Sequence, residues 1–394
     1  MKRPYVTGVS ILAALLAAGA FFAVRFALRE RAEQGRYERE ETPFAVTTLS
    51  SASVRVFKAG KKLEDAAEIS GVAAERIWLA KGNYFLRADD SGAALYYPVP
   101  ILGYRSGPDR DGMFSVTVRP APKETPPRLL PDLPAFVYIP SGHFLVGDLL
   151  NPRESHLVWL TGFFISPHEV TNAEFREFHS DPQGYGNDIH WTEEGRLWRQ
   201  ANPCQATALL SEREQDFKRF GQPDQPVVLV CWYEANAYCR WLTTRLGNGK
   251  WIFALPTDAE WEKAARGPDS FDYGLGMTIS DEETRLYNWK KNPDVPVTVT
   301  GIHDPGYRPN RYGVYHASGN VAEWTQSVYR AYNRETPYAD DDRNHDDTRG
   351  RRSTRGGSWY SATIAPLYLP YRDSFQPEHR GNDLGFRVVA RPRP

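Results

Sequence analysis

The sequence predicts a loop-rich fold of short helices and short strands in which aromatic rings supply much of the burial. Three observations predict it. The 394-residue chain pairs 11 Trp, 21 Tyr and 19 Phe with 31 Gly and 30 Pro, so large rings sit among many backbone breakers. In its C-terminal two-thirds, clear helix signals are confined to three short capped segments. Between them lie turns and brief β-like runs. A hydrophobic content of 41% and a charged content of 25% are ordinary for a globular chain of two or three domains. The net charge of -1 gives no electrostatic ground for a nucleic-acid partner, which would need a basic surface.

At the N-terminus, Lys2 and Arg3 precede an uncharged run from Val6 to Val24. Nineteen residues give about 28 Å of helix, enough to cross a bilayer. Ala18-Gly19-Ala20 is an alternative signal-peptide cleavage triplet, but the apolar run continues through Phe21 and Phe22, which favours an uncleaved anchor. The order of charged and apolar regions suits export of the main body. Arg25, Arg29, Arg31, Arg36 and Arg39 favour the opposite orientation. The expectation is a single-pass anchor of inner-membrane type with an extracytoplasmic main domain.

Residues 25–45 are charged and read as a structureless tether. A small β-domain is expected over 46–119, from Val54–Phe57, Ile77–Leu79, Tyr84–Leu86 and Phe114–Val118, which are separated by Gly, Asp and Ser. The stretch Leu79 to Ala88 resembles the strand entry of small PEGA-type β-sandwiches and implies a spacer that lifts the main module off the membrane. Six prolines between Pro120 and Pro134 then form a stiff extended linker over 120–135.

The main module occupies 136–394. Thr171 with Glu174 is a capping box opening a helix from Asn172 to Phe178. From Glu234 to Leu246, Ala235, Tyr238, Cys239, Leu242 and Leu246 share one face, and Gly247 stands where a C-terminal cap belongs. Thr257 with Glu260 opens a third helix through Ala265, closed by Gly267.

Seven motifs follow in order. They are Phe136–Phe144, Glu169-Val170-Thr171-Asn172, Pro226–Ala235, Leu255–Glu262, Gly319-Asn320-Val321-Ala322-Glu323-Trp324, Arg355-Gly356-Gly357-Ser358-Trp359 and Leu384-Gly385-Phe386-Arg387. Singly each is weak; as an ordered set the module resembles the sulfatase-modifying-factor, or formylglycine-generating-enzyme, superfamily. The resemblance implies an α+β domain of low regular secondary structure, related to the C-type-lectin fold.

In the formylglycine-generating enzymes two cysteines just after Gly-Gly-Ser form a thiolate site that takes up copper, a role that needs soft ligands. Here Ser361 stands at the first position, and Ala365 or Pro366 falls near the second. Of the three cysteines, Cys204, Cys231 and Cys239, none follows residue 239. Cys231 and Cys239 read as buried structural thiols. The nine histidines show no His-x-x-x-His pair of the kind that holds iron in the related ergothioneine sulfoxide synthases, though they can still converge in space. No copper or iron site is therefore expected, and no Gly-x-Ser-x-Gly elbow marks a hydrolase.

The resemblance also implies structural calcium, at positions matching His316, Gly319, Val321 and Glu323, with Asn288 and Trp289 opening a second site. His316 departs from the usual Asp or Asn. Glu323 otherwise reads as a buried acceptor of backbone N–H groups. The acidic run Asp340–Asp347 lacks the glycine of a calcium loop and reads as solvated.

The segment from Trp359 to Leu384 is where the resembled fold builds its pocket. Trp359, Tyr360, Ser361, Tyr371, Arg372, Asp373 and Phe375 are the candidate ligand-binding residues, suited to a protein or glycan partner. Tyr368 and Arg380 lie in the same segment, and at least one of Tyr368 and Tyr371 is expected to be a core ring. No catalytic residue is assigned. The sequence thus points to a membrane-tethered, non-catalytic binding or scaffolding module. A metal-dependent oxidase with a rebuilt site and a diversified lectin-like receptor stand as alternatives.

Overall fold

The computed structural model describes residues 28–393 apart from 29, 33, 37, 70–76, 91, 129, 148–154, 203–217, 290–300, 303 and 331–349. The expected anchor Val6–Val24, Cys204 and the run Asp340–Asp347 lie outside the described residues. No helix among those described is long and apolar enough to cross a membrane. By contact the chain forms two units. The first holds described residues within 28–47, 77–82 and 101–115; the second holds 48–69, 83–100 and 116–393.

In the first unit, the stretch read as structureless differs from expectation, since the described positions from Leu28 to Glu38 are helical. Ala, Glu and Arg are good helix formers, and their charge had masked that propensity. β1 (Thr42–Thr48) follows and pairs antiparallel with β4 (Ile77–Leu79).

The second unit begins with an antiparallel sheet. β2 (Ser53–Lys58), β3 (Ala67–Ile69), β5 (Gly82–Asp90) and β6 (Ala93–Ile101) stand in the order β3-β2-β5-β6. Phe57 faces Phe85 across the β2–β5 ladder with ring centroids 5.1 Å apart, a cross-strand pair of the kind that fixes register. This sheet packs on the C-terminal module. Arg311 donates to the Leu63 carbonyl at 2.8 Å and lies over the Phe85 ring, while Lys62 pairs with Glu283. These contacts group 48–69 and 83–100 with the module, whereas 101–115 falls in the other unit. β7 (Phe114–Val118) leads into the proline-rich stretch.

The module opens with β8 (Val137–Ile139) and the hairpin of β9 (Gly142–Val146) and β10 (His156–Leu160), then β11 (Phe163–Ile165). Among the described residues, four helices with given bounds follow. α1 (Asn172–Ser180) carries the expected capping box, Thr171 accepting from the Glu174 N–H. α2 (Glu193–Ala201) was not expected. Thr192 caps it, but Gly195 occupies the position where a box needs Glu. α3 (Trp232–Leu246) starts two residues before the expected Glu234 because that side chain accepts from the Cys231 N–H at 2.9 Å, making Cys231 the cap. α4 (Asp258–Arg266) matches its capping box, and Gly267 closes it at φ 66.

Two four-stranded sheets complete the module. β12 (Trp251–Ala254) and β17 (Val389–Pro392) join β8 and β11 in the order β12-β17-β11-β8, antiparallel throughout. β13 (Ala322–Val328), β14 (Arg352–Arg355), β15 (Asp373–Phe375) and β16 (Leu384–Phe386) form β15-β14-β13-β16, with only β13–β16 parallel. Rings supply the core, as the composition implied. Phe175, Phe178, Tyr238, Trp241 and Phe386 pack together in one cluster, and Ile165, Trp261 and Val389 belong to a second.

Candidate functional site

The chain leaves β14 through Gly356 and Gly357, whose φ angles of 90 and 63 lie in the left-handed region. A Cβ on Gly357 would stand 2.7 Å from the Pro366 carbonyl carbon, so only glycine lets the two loop arms approach. The turn that follows is tied by side chains. The Ser358 N–H donates to Ser361 Oγ at 2.9 Å, and Ser358 Oγ donates to the Asp383 carboxylate at 2.8 Å. Beneath it opens a cavity of about 110 Å³, lined among others by Ser358, Ser361, Pro366, Tyr371, Asp373, Phe375, His379 and Asp383. Phe375 stacks on His379 with centroids 4.3 Å apart.

Four of the expected ligand-binding residues, Ser361, Tyr371, Asp373 and Phe375, meet in this cavity. The other three do not line it. Trp359 is buried against Phe220, and Arg372 holds Asp258 through two bonds of 2.9 and 2.6 Å. Tyr360 is 62% exposed. Tyr371 is exposed at 40% and so is no core ring, and Tyr368 is half-buried beside Tyr273. Arg380 pairs with the buried Glu234 at 2.6 Å. Sequence reasoning missed His379 and Asp383, although both lie in or beside the segment it singled out.

The cavity offers hydroxyls, carboxylates, an imidazole and two rings, and no sulfur. Of the residues at or near the expected thiolate positions, Ser361, Ala365 and Pro366, the first and last line the cavity. These do not fit a cuprous ion, which needs soft ligands. Cys231 and Cys239 are both free and buried in the core, where burial pushes each thiol well above its ordinary range, away from thiolate chemistry.

The expected calcium positions are brought close together but are otherwise engaged. Both oxygens of Glu323 accept from Arg387, at 2.6 Å each, and one also accepts from the Trp261 indole. Glu323 is thus a buried acceptor, but its partners are side chains rather than the expected backbone N–H groups. Val321 packs in the core with Phe220 and Trp359. Gly319 is held at φ 88 by a bond from its N–H to the Gly356 carbonyl. Asn288 donates to Asn320 at 2.8 Å, and the Trp289 indole to the Ser361 carbonyl at 2.8 Å. A calcium ion needs free hard oxygens, and here the one carboxylate is locked in a guanidinium fork while position 316 is an imidazole. At the first of the two expected sites the donor set does not fit calcium; the second, opening at Asn288 and Trp289, runs on outside the described residues.

His316 instead turns toward Glu169, Nδ1 to Oε2 at 3.2 Å, and Asn320 donates to the other oxygen at 3.0 Å. Burial works to raise the pKa of Glu169, but His316 and Arg387 outweigh it and hold the carboxyl below its ordinary value.

These features agree with what comparison finds. The model of the sulfatase-modifying factor enzyme 1-like (FGE-sulfatase) domain matches residues 122–392. The chain is 30% identical over 296 residues to a formylglycine-generating enzyme of Streptomyces coelicolor, covering 64% of this chain and 88% of that one. It is 29% identical over 293 residues to the inactive C-alpha-formylglycine-generating enzyme 2 of Mus musculus, covering 65% and 86%. It is also 31% identical over 270 residues to a hercynine oxygenase of Mycolicibacterium smegmatis, covering 61% of this chain but only 56% of that protein. A match spanning well over half the chain, on a module with these sheets, caps and buried ion pairs, shows that the protein belongs to the sulfatase-modifying factor, formylglycine-generating-enzyme-like family.

Proposed function

We propose that the protein is a non-catalytic binding or accessory module that uses the cavity beneath Ser358–Ser361 to hold a partner. The observation that carries this reading is the cavity's chemistry: Ser361, with Ala365 or Pro366, stands where the resemblance puts a thiolate pair, and Tyr371 and Phe375 offer ring surface beside Asp373. Its size narrows the partner. About 110 Å³ is below the roughly 300–1,000 Å³ of pockets that enclose small-molecule ligands, but it accepts one side chain of an apposed protein. We therefore favour a protein partner over a glycan. Likeness to a relative described as inactive supports the same view. The run Val6–Val24 would tether the module to a membrane, with 25–45 and the β-strands of 46–119 as spacer and the main domain on the extracytoplasmic side.

The test is photo-crosslinking from position 371 in the full-length protein in membranes. One partner should crosslink, and Phe375→Ala should reduce its capture at least ~10-fold while an exposed change elsewhere, Trp159→Ala, leaves it intact. Crosslinking that survives Phe375→Ala overturns the reading. The second reading, a metal-dependent oxidase with a rebuilt site, draws on the likeness to hercynine oxygenase. It requires metal-dependent oxygen consumption by the purified chain, which the first reading forbids.

A further inference from the structure

Beyond the terminal cavity, the described residues hold one group of side chains with the chemistry of a metal site. His168, Glu169 and His316 each offer a donor atom, and these atoms lie within 4.8 Å of one another. All three residues are buried, at 6%, 1% and 7% exposure. We propose that they form a binding site for a single divalent transition-metal ion of the zinc class.

The donor set suits that class. Imidazole and carboxylate together bind zinc and its neighbours, and two histidines with one carboxylate leave a coordination position open. Tetrahedral coordination at about 2.0–2.2 Å places donors about 3.4 Å apart. The His316–Glu169 pair already stands at 3.2 Å, so closure asks mainly for approach of His168. His168 and Glu169 also line a small cavity of about 40 Å³ beside Ser166, Thr171 and Val388, room for one water-sized molecule next to two of the three donors.

The surroundings resemble the outer shell of a metal centre. Asn320 fixes one oxygen of Glu169. Arg387 donates to the Pro167 carbonyl at 3.1 Å and the Tyr315 carbonyl at 3.0 Å, so one guanidinium ties together the two loops that carry the three donors. The Tyr315 N–H completes the tie to Pro167 at 2.9 Å. Tyr315 stacks on His168 at 4.3 Å and Tyr307 stands edge-on to His316 at 4.6 Å, which limits rotation of both imidazoles. Since Arg387 is matched by Glu323, its charge does not leave the site cationic before the ion arrives.

The experiment uses the full chain, stripped with chelator and then titrated with zinc, cobalt or calcium. One equivalent of zinc should bind, cobalt should give the visible bands of four- or five-coordinate ion, and calcium should not compete. His168→Asn and His316→Asn should each weaken zinc at least ~10-fold, and Asn320→Ala should weaken it within the ~10–100-fold range of outer-shell changes. His316→Cys guards against misfolding as an explanation. It keeps a zinc ligand, and its cobalt form should gain a thiolate charge-transfer band. Binding of less than a tenth of an equivalent by the wild-type chain, binding indifferent to both histidine changes, or a cysteine variant without the new band overturns the proposal. None of these readouts involves Tyr371 or Phe375, so the outcome is independent of the partner-binding test.

Discussion

Helix α4 and the cavity-lining part of the loop from Trp359 to Asp383 lie in the same module and use charge differently. In α4 every residue from Asp258 to Arg266 is buried, and its charges are matched from outside the helix. Arg372 holds Asp258, Arg355 holds Glu262, and Arg391 holds Glu260 at 2.7 Å. Lys263 caps the Pro140 carbonyl at 2.8 Å. In the loop, the polar groups of Asp373 and His379 face an open cavity, and Tyr371 is left half in water. The difference teaches which motifs maintain the fold. Leu255–Glu262, Arg355 and Gly385–Arg387 supply buried pairs, which are costly to break because a lone charge remains behind. In the loop that debt attaches to Arg372 and Arg380, which hold the buried Asp258 and Glu234, whereas the cavity-lining Tyr371 and Phe375 carry no charge.

That contrast can be broken most directly at Arg387. Arg387→Ala leaves Glu323 as an uncompensated buried carboxylate and should cost about 3–5 kcal/mol, read as a lowered denaturation midpoint. Tyr371→Ala should move the same midpoint by less than ~1 kcal/mol, since its ring is substantially exposed; a large loss there would erase the distinction. Gly319→Ala should fall between them, at about 1–3 kcal/mol, because φ is 88 and a Cβ would collide with the Tyr287 carbonyl. The smallest effect concerns pH. Burial pushes Glu174 up to about 7. Between the ordinary glutamate range and that value the folded protein holds a proton the unfolded chain has released, so stability falls as pH rises through this window. Glu174→Gln, which keeps an oxygen for the Thr171 N–H, should flatten the fall when unfolding is followed from pH 5 to 8.

Where caps and ordered motifs spoke, the sequence was readable. Thr171 with Glu174 and Thr257 with Glu260 located two helices to within a residue or two, since a capping box is a local device. α2 escaped because Gly195 removes half of that signal. The cavity's neighbourhood was legible from Gly356-Gly357-Ser358, but its lining was only partly so. Trp359 and Arg372 looked like ligand contacts, whereas their partners Phe220 and Asp258 lie more than a hundred residues away in sequence. The meeting of His168 and His316 had no local signature either. They are 148 positions apart, and only the loops tied by Arg387 bring them together.

The position of β17 has a consequence for synthesis. Residues Val389 to Pro392 form an interior strand of their sheet, flanked by β11 and β12. Arg387, just before it, closes the Glu323 pair. A nascent chain lacking these residues has an open gap at the middle of a sheet and a buried acid awaiting its counterion. The module therefore cannot finish folding while its last strand is still within the ribosome, and until then β11 and β12 present unpaired edges of the kind that invite misassembly.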